Sequence, residues 1–106
     1  MESTKARLCS FSDLKEGDVI KASSDPPIAA YLVNGEVFAT SNICTHGNSE
    51  LSDGYLDGDR IECGLHLAQF CIRTGAPGAP AAVPLATYNV EVIDGDVYVD
   101  LPAQPI

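Results

Sequence analysis

Apolar residues along this chain come in short alternating or compact runs broken by Gly, Pro, Asn and Asp, a rhythm that predicts strands and turns. Asp18 to Ala22 reads as a strand, and the cluster Ser23-Ser24-Asp25-Pro26-Pro27 reads as a turn. The runs Ile28–Val33 and Glu36–Thr40 flank Asn34-Gly35, the strongest short-range hairpin signal. Short strands are predicted around Tyr55-Leu56 and Arg60-Ile61-Glu62-Cys63, joined by Asp57-Gly58-Asp59. Gln69–Ile72 resumes strand character before a turn at Thr74-Gly75. Thr87–Ile93 alternates as one strand, turns at Asp94-Gly95 and returns as Asp96–Asp100. Near the start, Leu8–Phe11 is apolar, and Ser12 or Asp13 is placed to cap a single helical turn ended by Gly17. With no repeat and no sustained helical period, these elements imply an all-β, antiparallel sandwich or barrel.

The rhythm fails in three places. Ser41 to Leu51 is a polar loop holding Cys44-Thr45-His46-Gly47, and a second loop holds His66. Ala76 to Pro84 is rich in proline, which lacks the ladder donor, so an irregular surface loop is expected there.

At 106 residues the chain fits one domain, taken as 1–106. Its formal charge of -9 repels nucleic-acid phosphates and anionic membrane surfaces and would draw it toward basic partners, although solubility alone also explains an acidic surface. The opening Met1-Glu2-Ser3-Thr4-Lys5-Ala6-Arg7 has no signal-peptide character, and no run approaches the roughly 20 apolar residues of a membrane span. A cytoplasmic location is expected. In that reducing compartment the four cysteines point to metal binding or buried thiols ahead of disulfides.

The candidate chemistry lies in how cysteine and histidine are paired. The chain has two histidines, and each follows a cysteine closely: Cys44-Thr45-His46 and Cys63-Gly64-Leu65-His66, with sixteen residues between His46 and Cys63. Thiolates and imidazoles hold zinc or iron–sulfur centres, and the close spacing lets one loop supply both atoms to one site. A tetrahedral zinc site would use the same side chains. Its finger form, however, has two cysteines followed by two histidines, whereas here each loop contributes one of each.

The pattern C-x-H, a spacer of about fifteen to seventeen residues, then C-x-x-H resembles that of Rieske-type [2Fe-2S] ferredoxins. The likeness extends to Gly47, Leu51-Ser52-Asp53-Gly54, Phe70, Ile72-Arg73-Thr74-Gly75 and Pro80, and spans about Leu8 to Leu101. The chain departs from the family at Gly64, Leu67 and Cys71, where Pro, Gly and Asp are usual; none of these removes a ligand. The resemblance implies a Rieske-like fold, a β-sandwich or barrel bearing a small cluster-binding subdomain made of two loops, about 42–50 and 62–72, with a Pro-rich covering loop at about 76–84. It implies one [2Fe-2S] cluster with Cys44 and Cys63 on one iron and His46 and His66 on the other. It further implies an electron carrier between an NAD(P)H-dependent flavoprotein reductase and the terminal oxygenase of an aromatic-ring-hydroxylating dioxygenase. Binding would be transient and the carrier monomeric. A small Rieske-like subunit of an assimilatory nitrite reductase and a zinc-stapled binding module are the alternatives.

High-potential members of that family have an extra cysteine in each loop and Ser and Tyr hydroxyls directed at the cluster sulfurs. The matching positions here are Ser49, Leu65, Ala68 and Phe70, so neither a disulfide nor such a hydroxyl is expected, and the potential should lie near the low end of about -150 to +300 mV. Pro80 and its neighbours would shield the cluster from water, and Leu65 and Leu67 would form an apolar rim at which a partner docks. Cys9 and Cys71 are expected to be buried, inert thiols. Glu50, Asp53, Asp57, Asp59 and Glu62 read as a docking face or a solvated one. The Phe and Tyr residues read as core and cross-strand packing.

Overall fold

The computed structural model describes residues 4–22, 27–45, 49–63, 68–78 and 83–101. These residues form strands β1 (Thr4–Ser10), β2 (Asp18–Ala22), β3 (Ile28–Val33), β4 (Glu36–Ser41), β5 (Tyr55–Asp57), β6 (Arg60–Glu62), β7 (Gln69–Cys71), β8 (Pro77–Gly78), β9 (Thr87–Tyr88), β10 (Val90–Ile93) and β11 (Asp96–Leu101). All pairings are antiparallel, in three sheets ordered β1-β11-β10, β2-β3-β4-β9 and β5-β6-β7-β8. The all-β, antiparallel expectation holds.

Strand β3 explains the layering. Every residue from Ile28 to Val33 is buried, and successive side chains point to opposite faces. Ala29, Tyr31 and Val33 join an apolar cluster with Cys44, Leu51, Ile61, Cys63, Ala68, Phe70, Ile72 and Leu85. Ile28, Ala30 and Leu32 join a second with Leu8, Cys9, Leu14, Ala22, Ala39, Val97 and Val99. The middle sheet therefore separates two cores, one against the β1-β11 pair and one beneath the loop region. Both faces lie in apolar surroundings, which is why this run is continuous rather than alternating. Tyr31 is fully buried, and its hydroxyl lies 2.8 Å from that of buried Thr40, which satisfies a group that would otherwise carry a desolvation penalty.

The Asn34-Gly35 hairpin forms as expected between Val33 and Glu36, with φ of 53° and 78° at its two turn residues. The double positive φ matches the twist of the flanking strands. The Glu16 carboxylate accepts the N–H groups of Asn34 and Gly35 at 2.5 and 2.9 Å. Asp94-Gly95 closes β10-β11 in the same way, with φ of 51° and 80°.

Four local expectations are corrected. The helical turn spans Phe11–Asp13, directly after β1, and the Ser10 N–H donates to the Asp13 carboxylate at 3.3 Å, so the turn begins at Ser10 and ends well before Gly17. Thr87–Ile93 is two strands, because at Asn89 the chain leaves β4, the partner of β9, for β11, the partner of β10. Pro77 sits inside a short strand after all; β8 is the edge of its sheet, where proline's missing donor faces no partner. Among the aromatics, Phe11 and Tyr55 are exposed rather than core.

Candidate metal centre

Both candidate loops open on buried cysteines, Cys44 three residues past the end of β4 and Cys63 directly after β6. The first leaves β4 through Asn42, a fully buried residue that clasps the loop base. Its side-chain amide donates to Glu50 at 2.9 Å and its side-chain oxygen accepts the Ser52 N–H at 2.8 Å. Its backbone carbonyl accepts the Leu51 N–H at 2.7 Å. Above this clasp Ile43 bridges Glu50, and the Cys44 N–H donates to the Ser49 carbonyl at 3.0 Å. Sequence reasoning missed Asn42; a lone Asn in a polar loop gives no signal of burial.

The second loop leaves β6 and returns on β7. The Cys63 N–H donates to the Ala68 carbonyl at 2.7 Å, with Glu62 opposite Gln69 just below. The two excursions, 44–49 and 63–68, are thus closed alike, each by the N–H of its opening cysteine reaching the carbonyl five residues on. Cys44 and Cys63 are 3% and 1% exposed and share one apolar cluster. The two loops touch: the Ser49 hydroxyl oxygen lies 2.6 Å from the Cys63 sulfur. This corrects the expectation that no side-chain hydroxyl reaches a candidate ligand sulfur. Ala68 and Phe70 are fully buried and apolar, as read, but the hydroxyl arrives from the opposite loop. His46 and His66, the other candidate ligands, and Gly47, Gly64, Leu65, Leu67 and Pro80 lie outside the described residues.

Below the loops, Gly54 ends the turn Leu51–Asp53 and lies so near β6 that a Cβ there would stand 2.1 Å from the Glu62 carbonyl oxygen. The segment after β7 is fastened at both ends. Gln69 pairs with Gly78 at its start; at its finish the Leu85 N–H donates to the Gly75 carbonyl at 2.9 Å and the Ser41 N–H to the Ala86 carbonyl at 2.9 Å. The Thr45 hydroxyl donates to the Val83 carbonyl at 2.7 Å, which ties the first loop to this third segment. Arg73, at the end of β7 away from the second loop, stacks over the Phe38 ring at 4.7 Å.

Two buried sulfur donors at one apolar site, each opening a tight loop that carries a histidine in the sequence, fit a thiolate-bound metal group. Burial alone disfavours a thiolate, and a bound cation removes that penalty.

The remaining cysteines behave differently from one another. Cys9 is buried, and burial pushes its thiol up from the ordinary value. Cys71 is only partly buried, contrary to expectation. Burial raises its thiol, but hydrogen bonds from the Thr74 hydroxyl and from the backbone of Thr74 and Arg73 outweigh this and lower it overall. We expect Cys71→Ser to leave the visible and EPR spectra unchanged, because the residue pairs with Arg60 on the far side of β7 from the loop crossing; altered spectra in the substituted protein would place it at the centre. The acidic residues are partly engaged: Glu50 pairs with Lys21 at 2.7 Å, Asp59 with Arg73 at 3.5 Å, and Glu62 accepts from Gln69 at 3.1 Å.

Among the described residues no helix is long and apolar enough to cross a membrane. The Rieske [2Fe-2S] domain profile matches residues 4–89. The chain is 46% identical over 100 residues to the 3-phenylpropionate/cinnamic acid dioxygenase ferredoxin subunit of Escherichia coli K12, covering 92% of this chain and 94% of that one. Its structure is similar to that of the Sphingomonas yanoikuyae B1 ferredoxin, with a TM-score of 0.88, 46% identity and coverage of 93% of this chain and 100% of that one. It is also similar to a chain from the complex of reduced oxygenase and oxidized ferredoxin in carbazole 1,9a-dioxygenase, with a TM-score of 0.87, 38% identity and coverage of 96% and 97%. The chain belongs to the Rieske [2Fe-2S] domain family and is an electron-transfer ferredoxin with one Rieske-type cluster.

Proposed function

We propose that Cys44 and Cys63 ligate one iron of the cluster and His46 and His66 the other, and that the chain carries single electrons from an NAD(P)H-dependent flavoprotein reductase to the terminal oxygenase of an aromatic-ring-hydroxylating dioxygenase. The observation that carries this reading is the matched pair of cysteine-opened loops meeting at one buried site. The dioxygenase setting is supported by a relative named as a dioxygenase ferredoxin subunit and by a neighbour solved with an oxygenase. The whole of 1–106 acts as one domain, working as a cytoplasmic monomer.

When bound, the cluster takes up and releases one electron at a time. The protein's part is to hold it near a surface and screen it. Leu51, Ile61, Phe70, Ile72 and Leu85 form a dry floor around the two cysteines. Ile43, next to Cys44, and Val83, whose carbonyl accepts the Thr45 hydroxyl, are exposed apolar residues at the opening of the first loop. They offer a small contact area, which suits a brief encounter. The charge of -9 steers the carrier toward basic partner surfaces.

EPR of anaerobically purified protein before and after dithionite, with an iron and zinc assay, tests the ligand set. The expected outcome is about two irons per chain and a signal averaging near g 1.9 on reduction only. Reconstitution with a flavoprotein reductase and an aromatic-ring dioxygenase should then give NAD(P)H-dependent turnover that slows as salt rises. A silent spectrum with one zinc per chain would overturn the ligand reading. An intact cluster whose transfer to such an oxygenase never exceeds background would overturn the partner reading.

A further inference from the structure

We infer that the Ser49 hydroxyl raises the reduction potential of the centre by donating a hydrogen bond to the Cys63 sulfur. The inference rests on Cys63 being an iron ligand. The Ser49 oxygen lies 2.6 Å from that sulfur, and between a hydroxyl and a thiol either atom could be the donor. A sulfur bound to iron is a thiolate without a proton, so the bond then requires Ser49 to donate. The Ser49 backbone is held by its own loop, since its carbonyl accepts the Cys44 N–H at 3.0 Å. It also approaches from the opposite loop, so the contact fastens the two ligand loops together.

A hydrogen bond to an anionic acceptor strengthens as the acceptor becomes more negative. Reduction adds one electron to the centre while no bond forms or breaks and the Ser49 proton stays on its oxygen. The bond therefore favours the reduced state more than the oxidised one, and the potential rises. Ala68 and Phe70, buried beside Cys63, carry no polar side-chain atom, so the second loop's own return strand adds no competing hydroxyl there.

The test is a mediated redox titration of the cluster-loaded protein, followed optically and by EPR, for wild type, Ser49→Ala and Ser49→Thr. Ser49→Ala should lower the reduced-to-oxidised ratio at a fixed potential about tenfold, a shift of about 59 mV for one electron. Iron content and average g should be unchanged, and Ser49→Thr should restore most of the shift. If Ser49→Ala loosens the loop and loses iron, the isosteric pair Ser49→Thr and Ser49→Val repeats the comparison. An unmoved midpoint with an intact cluster in the hydroxyl-deleted proteins would overturn the inference. A cluster retained in Cys63→Ala would instead overturn the ligand reading beneath it.

Discussion

Replacing His66 or Cys63 with Ala should yield protein with at least about a tenfold loss of iron, little visible colour and no signal near g 1.9 after dithionite. Removal of one donor leaves an iron short of a ligand in a site too dry for water to replace it well; Cys63 itself is 1% exposed. The rest of the fold should survive. The second core, built from Leu8, Leu14, Ile28, Leu32, Val97 and Val99, does not include the loop cysteines. Amide hydrogen exchange should therefore quicken in 42–50 and 62–72 while β1, β3 and β11 stay protected. Uniform loss of protection would show that the centre holds the whole domain together, and full iron retention would remove the substituted residue from the ligand set.

Gly75→Ala should lower stability by about 2–4 kcal/mol, enough to move the thermal midpoint by roughly 10 °C or more in a domain of this length. Two penalties coincide there. Its φ is 80°, where an L side chain is strained, and the added Cβ would stand 2.0 Å from the Leu85 carbonyl oxygen. The collision falls where the Leu85 N–H meets the Gly75 carbonyl, so it should also lift the third segment from the loops and speed reoxidation by air. Gly17→Ala is the matched comparison, with φ of 79° but nothing within 4 Å of an added Cβ. It should cost only about 1 kcal/mol. Equal losses for the two in denaturant titrations would show that close packing at Gly75 contributes nothing.

What could be read from the sequence was whatever is encoded locally. Asn34-Gly35 and Asp94-Gly95 announce their hairpins because the turn itself demands those residues. The Cys-x-His and Cys-x-x-His spacings single out the two candidate loops for a similar reason: each pair lies within one loop. Alternation across Thr87–Ile93 signals extended chain but says nothing of which neighbour each half joins, so the change of sheet at Asn89 was hidden. Pro77 is tolerated because β8 is an edge, and edges are defined only once the whole sheet is assembled. Ser49 and Asn42 were opaque for the same reason. The Ser49 hydroxyl meets a sulfur fourteen positions away on another loop, and Asn42 gains its importance from the Glu50 carboxylate and the Leu51 and Ser52 N–H groups, which converge on it only in the folded chain.

The double-sided burial of β3 makes the centre sensitive to register in a way composition does not reveal. Inserting or deleting a single residue in this strand would exchange its two linings, turning Ile28, Ala30 and Leu32 toward the floor of the cysteine loops and Tyr31 away from Thr40. Conservative changes of side chain can be absorbed on either face, but a shift in length cannot. The tight Asn34-Gly35 turn, pinned by Glu16, is consequently the ruler that keeps the electron-carrying half of the molecule aligned with the half that supports it.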